Sequence, residues 1–162
     1  MAKQADRYYK IEPWRIVELG FDSAYGEVSE SVFSLGNEHM GIRGFFEEGY
    51  SGPTLVGSYF NGVYASAQVG QTGYKGIVTT GEFMVNSVNW LALSIELDGE
   101  RLDLKGSDFC EFSRVLDMRK GLLTRRLIWR TATGKETELC FERFLSMPRK
   151  NMAAQRVTAT AL

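Results

Sequence analysis

The chain has few of the residues on which metal and covalent chemistry depend. It contains one histidine, His39, and two cysteines, Cys110 and Cys140, and it has no C-x-x-C pair. Metal sites in proteins usually need three or four closely spaced His, Cys or carboxylate ligands, so the sequence predicts no metal. Two cysteines are too few for a disulfide framework and favour a reducing, cytoplasmic setting.

Other sequence signals are also missing. No stretch approaches the roughly 20 apolar residues of a membrane helix, and the N-terminus has no apolar core of signal-peptide length. Neither phosphate-loop pattern, GxGxxG or GxxxxGK[ST], occurs, and no serine lies in G-x-S-x-G. The net charge is −1, which favours neither nucleic acid nor a membrane surface. We therefore predict no cofactor, no nucleic-acid partner and no membrane partner.

Alternation of apolar and polar residues dominates the rest of the chain, with turns every 8–12 residues and no long helical period. This pattern predicts an all-β fold, an antiparallel β-sandwich. We expect residues 1–13 to be disordered or extended and residues 14–162 to form one β-domain. Strands are expected over Trp14–Phe21 and Ser31–Leu35, loops over Phe21–Ser29 and Gln68–Gly76. Asn61-Gly62 is typical of a type I′ hairpin turn, and Asp98-Gly99 is expected to turn a second hairpin.

Charged residues late in the chain suggest surface ion pairs. Arg125, Arg126 and Arg130 are interleaved with the apolar residues of Leu122 to Arg130, as on the solvent face of a strand. A nucleic-acid surface is one interpretation of these arginines, but glutamates on the expected partner strand at 136, 138 and 142 favour cross-strand pairing at a solvated face. Glu47 and Glu48 are neighbours that would point opposite ways on an extended chain, so we interpret them as a solvated loop and not as a catalytic pair.

Glycines and aromatic residues crowd residues 36–64, and two interpretations of this stretch stay open. Aromatic faces stack on sugar rings, and Asn, Arg and His side chains bond hydroxyl groups; the same residues also form cores and interfaces. The candidates for a substrate-proximal or interdomain contact are Asn37, His39, Arg43, Tyr50, Tyr59, Asn61 and Tyr64.

A series of short motifs resembles the N-terminal domain of glycoside hydrolase family 65, the maltose, trehalose and kojibiose phosphorylases. The first is ESVFSLGNEHMGIRG over residues 30–44, with Glu38-His39 where the commoner family form has Gly-Tyr. The others follow in the family's order: EEGY at 47–50, GSYFNGVY at 57–64, NWL at 89–91, LDGE at 97–100, LDMRKG at 116–121 and ERFLSM at 142–147.

The resemblance implies a β-supersandwich similar to galactose mutarotase, followed in the family by a helical (α/α)6 catalytic barrel. The final strand stops in mid-pattern, so we expect an incomplete N-terminal domain of a longer protein. The implied reaction is inverting phosphorolysis of an α-linked disaccharide with inorganic phosphate as co-substrate, in a homodimer. No residue here matches the family's catalytic acid or phosphate site.

The resemblance makes the barrel of the same polypeptide the implied partner, with the weakly charged, aromatic stretch 45–74 as the contact. Disaccharide would be touched at most indirectly. The alternative is a stand-alone carbohydrate-binding or assembly module without catalysis, whose aromatic residues would form an exposed platform.

Overall fold

The computed structural model of the chain describes residues 8–68 and 80–162. The loop predicted over Gln68–Gly76 lies, beyond Gln68, outside the described residues.

Antiparallel strands make up most of the regular structure. They are β1 (Lys10–Glu12), β2 (Arg15–Leu19), β3 (Leu35–Gly36), β4 (Met40–Ile42), β5 (Ser58–Phe60), β6 (Tyr64–Gln68), β7 (Thr80–Met84), β8 (Glu96–Leu97), β9 (Glu100–Arg101), β10 (Asp108–Asp117), β11 (Leu122–Arg130), β12 (Glu136–Leu145) and β13 (Ala153–Ala161). The all-β, antiparallel prediction is confirmed.

A six-stranded sheet in the order β1-β2-β10-β11-β12-β13 forms the main layer. Its long strands keep the period-2 pattern, so alternate side chains are buried on one face, as at Leu123, Leu127 and Trp129 of β11. The small sheet β3-β4-β5 and the loops around Phe46 and Leu102 supply the side chains that cover this inner face. The core therefore lies between the main sheet and these shorter elements.

The segment from residue 22 to residue 35 differs from the sequence prediction. A helix, α1 (Gly26–Val32), follows a 3₁₀ turn at Ser23–Tyr25 where a loop and the start of a strand were expected. The helix is less than two turns long, which is too short for a helical period to be recognised in the sequence. Within residues 1–13, expected to be disordered or extended, β1 is an extended strand and the Tyr9 ring is buried, 7% exposed. No helix among the described residues has the length and apolar character to cross a membrane.

The two predicted hairpin turns have different outcomes. At Asp98-Gly99 both residues have positive φ, 52° and 78°, as in a type I′ turn, and β8 pairs with β9, so the predicted hairpin is confirmed. At Asn61-Gly62 only Gly62 has positive φ, 87°, and a tight turn closes through the Val63 amide, which donates to the Phe60 carbonyl at 3.2 Å. The hairpin prediction there is wrong, because β5 pairs with β4 and β6 pairs with β7.

Candidate functional site

Four of the predicted site residues meet at one shallow cleft of about 400 Å³ at the turns between β3, β4 and β5. The cleft is lined in part by Asn37, His39, Tyr59 and Asn61, and Met84 of β7 closes one side. The β3–β4 and β4–β5 pairings bring these residues together, because Gly41 lies opposite both Gly36 and Tyr59 in the register.

Asn37 acts as a structural clamp within this cleft. Its Oδ1 accepts the amides of His39 and Met40, both at 2.9 Å. Its Nδ2 donates to the carbonyls of Ser146 at 2.8 Å and Lys150 at 3.1 Å. The side chain thus fixes the β3–β4 turn and ties it to the β12–β13 connection, and a sugar hydroxyl would have to replace one of these bonds.

His39 and Asn61 hold the opposite wall through their backbones. The Asn61 amide donates to the His39 carbonyl at 2.7 Å, and the His39 imidazole lies edge-on to Phe60 with ring centroids 6.1 Å apart. The Asn61 side chain is exposed and the His39 side chain is half-buried. These two side chains and the half-buried Tyr59 ring are the groups in the cleft best placed to meet an incoming molecule.

Arg43 and Tyr50 lie away from the cleft. Arg43 bonds the Ser31 hydroxyl through Nη2, and its stem packs on Gly57, where an added Cβ would lie 2.7 Å from the arginine Cδ. The Tyr50 ring packs edge-on against Phe21, with centroids 5.6 Å apart. Both side chains therefore help to hold the loops on the main sheet.

Tyr64 belongs to a second feature, an exposed apolar surface made of side chains from β6, from β7 and from the segments next to them, with Phe83 and Met84 on alternate faces of the β6–β7 pair. It is half exposed at 51% and lies opposite Met84 in the β6–β7 pair. The members of this surface, called the apolar surface below, are each 38–64% exposed: Leu55, Val56, Val63, Tyr64, Phe83, Met84 and Val88. Residues 69–74 of the predicted contact stretch lie outside the described residues.

Hydrogen bonds join the two segments that carry the apolar surface. The Asn86 side chain accepts the Ser58 amide at 2.9 Å and donates to the Val56 carbonyl at 2.8 Å. The Val85 and Ser87 amides add bonds to the carbonyls of Val63 and Ser58. These hydrogen bonds therefore hold the segments that carry the apolar surface in a fixed arrangement.

A buried ion cluster is the feature that sequence reasoning missed. It consists of three arginines and three glutamates, so its formal charge is zero: Glu18, Glu47, Glu48, Arg114, Arg125 and Arg143. Arg114 lies directly opposite Arg125 in the β10–β11 register, and also opposite Glu18 of β2. In the β11–β12 register Arg143 pairs with Leu123 and Arg125 pairs with Phe141, so Arg143 lies diagonally across from Arg125.

Glu47 and Glu48 bind the centre of this cluster, so their interpretation as a solvated loop is wrong. Nη1 of Arg125 donates to Oε1 of Glu48 at 2.7 Å, and its Nη2 donates to Oε2 of Glu47 at 2.9 Å. Arg143 approaches the other Glu47 oxygen at 3.4 Å. Both glutamate side chains turn toward the sheet, because three inward guanidiniums would otherwise be buried without enough counter-charge.

The electrostatics of the cluster favour the ionised form of the Glu47 carboxylate. Burial alone would raise the pKa of Glu47, but the guanidiniums of Arg143 and Arg125 outweigh it and hold the pKa below its ordinary value. Burial lowers the pKa of Arg114, with Glu18 opposing that shift through a hydrogen bond of 2.7 Å. Arg125 also lies 3.9 Å from the Phe141 ring centroid, an additional cation–π contact.

The exposed face of the sheet carries the ion pairs that the sequence predicts. Arg126 bonds Glu138 at 3.2 Å, and Arg130 bonds Glu136 through Nε at 2.9 Å. The prediction of a solvated face is wrong for Arg125, which is 3% exposed. The signal that identifies it is its phase: Arg114, Arg125 and Arg143 each occupy an apolar position of their strand's alternation.

The arrangement offers structural rather than acid–base chemistry. A general acid at neutral pH needs a raised pKa, whereas Glu47 has a lowered one. Within residues 8–68 and 80–162, no three His, Cys, Asp or Glu side chains are grouped in a way that could hold a metal ion. Both cysteines are free thiols, and burial raises the pKa of Cys140.

Comparisons with known proteins identify the family. The family model described as "Glycosyl hydrolase family 65, N-terminal domain" matches residues 16–162. The α,α-trehalose phosphorylase of Thermoanaerobacter brockii is 36% identical over 151 residues, which cover 90% of this chain and 19% of that protein. The maltose phosphorylase of Bacillus subtilis is 33% identical over 160 residues, which cover 96% of this chain and 21% of that protein.

The fold comparison agrees. A solved structure described as a putative kojibiose phosphorylase from human microbiome superposes with a TM-score of 0.90 at 41% identity, covering 95% of this chain and 20% of that one. The chain thus spans about a fifth of the length of these relatives. This chain belongs to the family of N-terminal domains of glycosyl hydrolase family 65.

Proposed function

We propose that the chain is the non-catalytic N-terminal β-domain of an enzyme that cleaves α-linked disaccharides by inverting phosphorolysis. The observation that carries the proposal is the buried ion cluster, in which the inward carboxylates Glu18, Glu47 and Glu48 are each bound by an arginine. These carboxylates stabilise the fold and are not available to protonate a leaving group. The family match supports the class of enzyme.

Phosphorolysis requires a carboxylic acid on one side of the glycosidic bond and phosphate on the other. The acid protonates the leaving oxygen while phosphate attacks the anomeric carbon from the opposite face, so an α-linkage yields a β-configured sugar phosphate. In this proposal the acid and the phosphate site belong to the helical catalytic barrel of the longer polypeptide. Inorganic phosphate is a co-substrate, and no cofactor is needed.

The apolar surface is the proposed contact with that barrel. Within residues 55–68 and 80–90 the only charged side chain is Glu82. The centres of protein interfaces are likewise depleted in charge and rich in aromatic side chains. The cleft at His39, Tyr59 and Asn61 borders this surface at Met84. In this proposal the domain influences disaccharide binding at most indirectly, and the cleft at His39, Tyr59 and Asn61 is the part of the domain through which it would do so.

The longer enzyme is proposed to be a cytoplasmic homodimer. Free cysteines at positions 110 and 140 agree with a reducing compartment. In this proposal the Asn37 side chain takes no part in the choice among maltose, trehalose and kojibiose, because it is bonded to the amides of His39 and Met40 and to the carbonyls of Ser146 and Lys150.

The first experiment is a phosphorolysis assay on the 162-residue chain with maltose, trehalose and kojibiose, each with inorganic phosphate. We expect no sugar phosphate from any of them; release of β-glucose 1-phosphate would contradict the placement of the acid outside this domain. Sequencing the gene beyond residue 162 should show a helical-barrel sequence.

Calorimetric titration of the chain with the same disaccharides separates the proposal from a stand-alone binding module. We expect no saturable heat. Saturable binding that is lost in a Tyr59→Ala, Tyr64→Ala variant would instead favour a carbohydrate-binding module, since sugar rings stack on exposed aromatic faces.

A further inference from the structure

Asn61 and Gly62 lie in the tight turn that follows β5, and both residues are exposed. The turn has the features of type II, since Gly62 in its third position has a φ of 87° and the Val63 amide donates to the Phe60 carbonyl. Within residues 8–68 and 80–162, the Gly62 amide and the Asn61 side chain make no hydrogen bond. The side-chain amide and the next backbone nitrogen are therefore neighbours without a competing bond.

Glycine at position 62 leaves its own backbone nitrogen unshielded. A Cβ added at Gly62 would meet no atom within 4 Å, so the turn has free space around this residue. Glycine also adopts more backbone angles than any other residue. The peptide that joins Asn61 to Gly62 can therefore rotate until its nitrogen faces the carbon of the Asn61 side-chain amide.

The other asparagines of the chain lack one or both of these features. Asn61 is the one asparagine followed by glycine. Three others have side chains that bond the backbone: Asn37, Asn86 and Asn89. The fourth, Asn151, is exposed, but the residue after it is Met152, whose side chain crowds the backbone nitrogen.

Asp98-Gly99 is a second acyl side chain followed by glycine, and its contacts protect it. The Asp98 carboxylate accepts a bond from Lys135 at 2.9 Å and one from the Thr133 hydroxyl at 3.0 Å. These two bonds hold the pKa of Asp98 below its ordinary value. An ionised carboxylate has no leaving group for attack by a backbone nitrogen, so Asp98 should stay unmodified.

We propose that Asn61 is a site of spontaneous deamidation through a cyclic imide with Gly62. The Gly62 nitrogen gives its proton to hydroxide and attacks the side-chain carbon of Asn61. The new N–Cγ bond replaces the Cγ–Nδ2 bond, and the side-chain amide leaves as ammonia. Water then opens the imide at either carbonyl and yields aspartate or isoaspartate. One water is consumed, one ammonia is released, and nothing is oxidised or reduced.

Either product places a carboxylate beside the apolar surface. Asn61 lines the cleft that borders this surface, and the segments that carry the surface hold one charged side chain, Glu82. The isoaspartyl product also lengthens the main chain by one methylene group, directly after the amide that donates to the His39 carbonyl. The reaction needs only water and two adjacent residues, so it alters the cleft slowly and without a partner.

Tryptic peptide mapping of the 162-residue chain, incubated at mildly alkaline pH, tests the site. Cleavage after Arg43 and Lys75 gives a peptide in which Asn61 is the only asparagine, and fragmentation separates it from the two glutamines. We expect Asn61 to convert at least about tenfold faster than Asn151 in the same sample, a barrier lower by about 1.4 kcal/mol. The rate should rise with pH, because the attacking nitrogen must lose its proton.

Asn61→Gln and Asn151→Gln are the matched variants. Glutamine would have to close a six-membered ring, which forms far more slowly, so Asn61→Gln should abolish the conversion at position 61 and Asn151→Gln should leave it unchanged. Protein L-isoaspartyl methyltransferase with S-adenosylmethionine should methylate the incubated wild-type and Asn151→Gln chains but not Asn61→Gln.

Three results would overturn the proposal. The first is an Asn61 that converts no faster than Asn151. The second is methylation that persists in Asn61→Gln, because the isoaspartate would then lie elsewhere. The third is conversion of Asn61 only in urea, which would show that the fold protects the turn.

Discussion

Removal of the Arg125 charge should be among the most damaging single changes to this fold. Arg125 is 3% exposed and bonds both Glu47 and Glu48, which are 5% and 2% exposed. In Arg125→Met the side chain keeps much of its apolar stem against Phe141. The variant therefore removes chiefly the positive charge and its hydrogen bonds, and leaves two buried carboxylates with Arg143 as their nearest cation.

The expected loss follows from the cost of an uncompensated buried charge. Removing one partner of a buried ion pair destabilises proteins by about 3–5 kcal/mol. Domains of this size have unfolding free energies of about 5–15 kcal/mol, so the variant should be close to unfolding. Arg126→Met is the matched control, because it removes the same charge from the next position of β11 but breaks an exposed pair. It should cost no more than about 1 kcal/mol.

The pH dependence gives a second readout of the same cluster. The pKa of Glu47 is lowered on folding from its ordinary value of 4.5, so the unfolded chain binds more protons between the two values. The stability from this group is fully present above pH 4.5 and is lost as the pH falls through the folded pKa. In Arg125→Met the Glu47 carboxylate loses one of the two guanidiniums that lower its pKa and accepts a proton more readily, so the difference from the wild-type free energy of unfolding should shrink at acidic pH.

Urea denaturation followed by circular dichroism measures these free energies at pH 7 and pH 4. If Arg125→Met does not fold, the double variant with Arg125→Met and Glu48→Met can be measured in its place. Removing the carboxylate that has lost its arginine should recover part of the lost free energy of unfolding. Equal stability of Arg125→Met and Arg126→Met, or a double variant less stable than the single one at pH 7, would refute the argument that Glu47 and Glu48 are held as buried anions.

Two further substitutions test the packing around the family motif. Gly44→Ala should cost about 1–3 kcal/mol, because its Cβ would lie 2.9 Å from the Phe33 Cβ, whereas Gly41→Ala, with no atom nearer than 3.9 Å, should change the unfolding free energy far less. Asn37→Ala should cost about 1–3 kcal/mol, since it leaves its bonded backbone groups without partners; Asn61→Ala, at an exposed side chain, should stay within about 0.5 kcal/mol. Urea midpoints of the four variants decide both comparisons.

The alternation of apolar and polar residues predicted the long central strands β11 and β12 because each of them buries one face. The alternation in β11 and β12 is long enough to fix both the strand type and the buried side. The same pattern could not predict the partners of β5 and β6. A dipeptide such as Asn61-Gly62 determines the local turn, but whether its flanking strands pair depends on competing strands far away in the chain, here β4 and β7.

Helix α1 and the buried glutamates could not be predicted for a related reason. Tertiary contacts stabilise α1: the Glu30 side chain accepts the Thr54 hydroxyl at 2.6 Å, and its carbonyl accepts the Gly44 amide at 2.6 Å. Similarly, nothing local marks Glu48 as buried, because its counter-charge, Arg125, lies 77 residues away. The one sequence signal was that Arg114, Arg125 and Arg143 occupy positions of their strands that alternate with exposed ones and are otherwise apolar. Arginines buried at such positions need carboxylates beside them.

These contacts explain why the motif over residues 30–44 identifies the family without containing its chemistry. Glu30 holds the loop at Thr54, Gly44 allows α1 to pack against the chain that leads to Phe45 and Phe46, and Asn37 ties the intervening turn to the β12–β13 connection. The Gly44 carbonyl in turn accepts a hydrogen bond from Arg114 of the ion cluster at 2.8 Å. Each of these positions is restricted by the packing of this domain, so a match to the motif is evidence for the fold first and for the enzyme only through the fold.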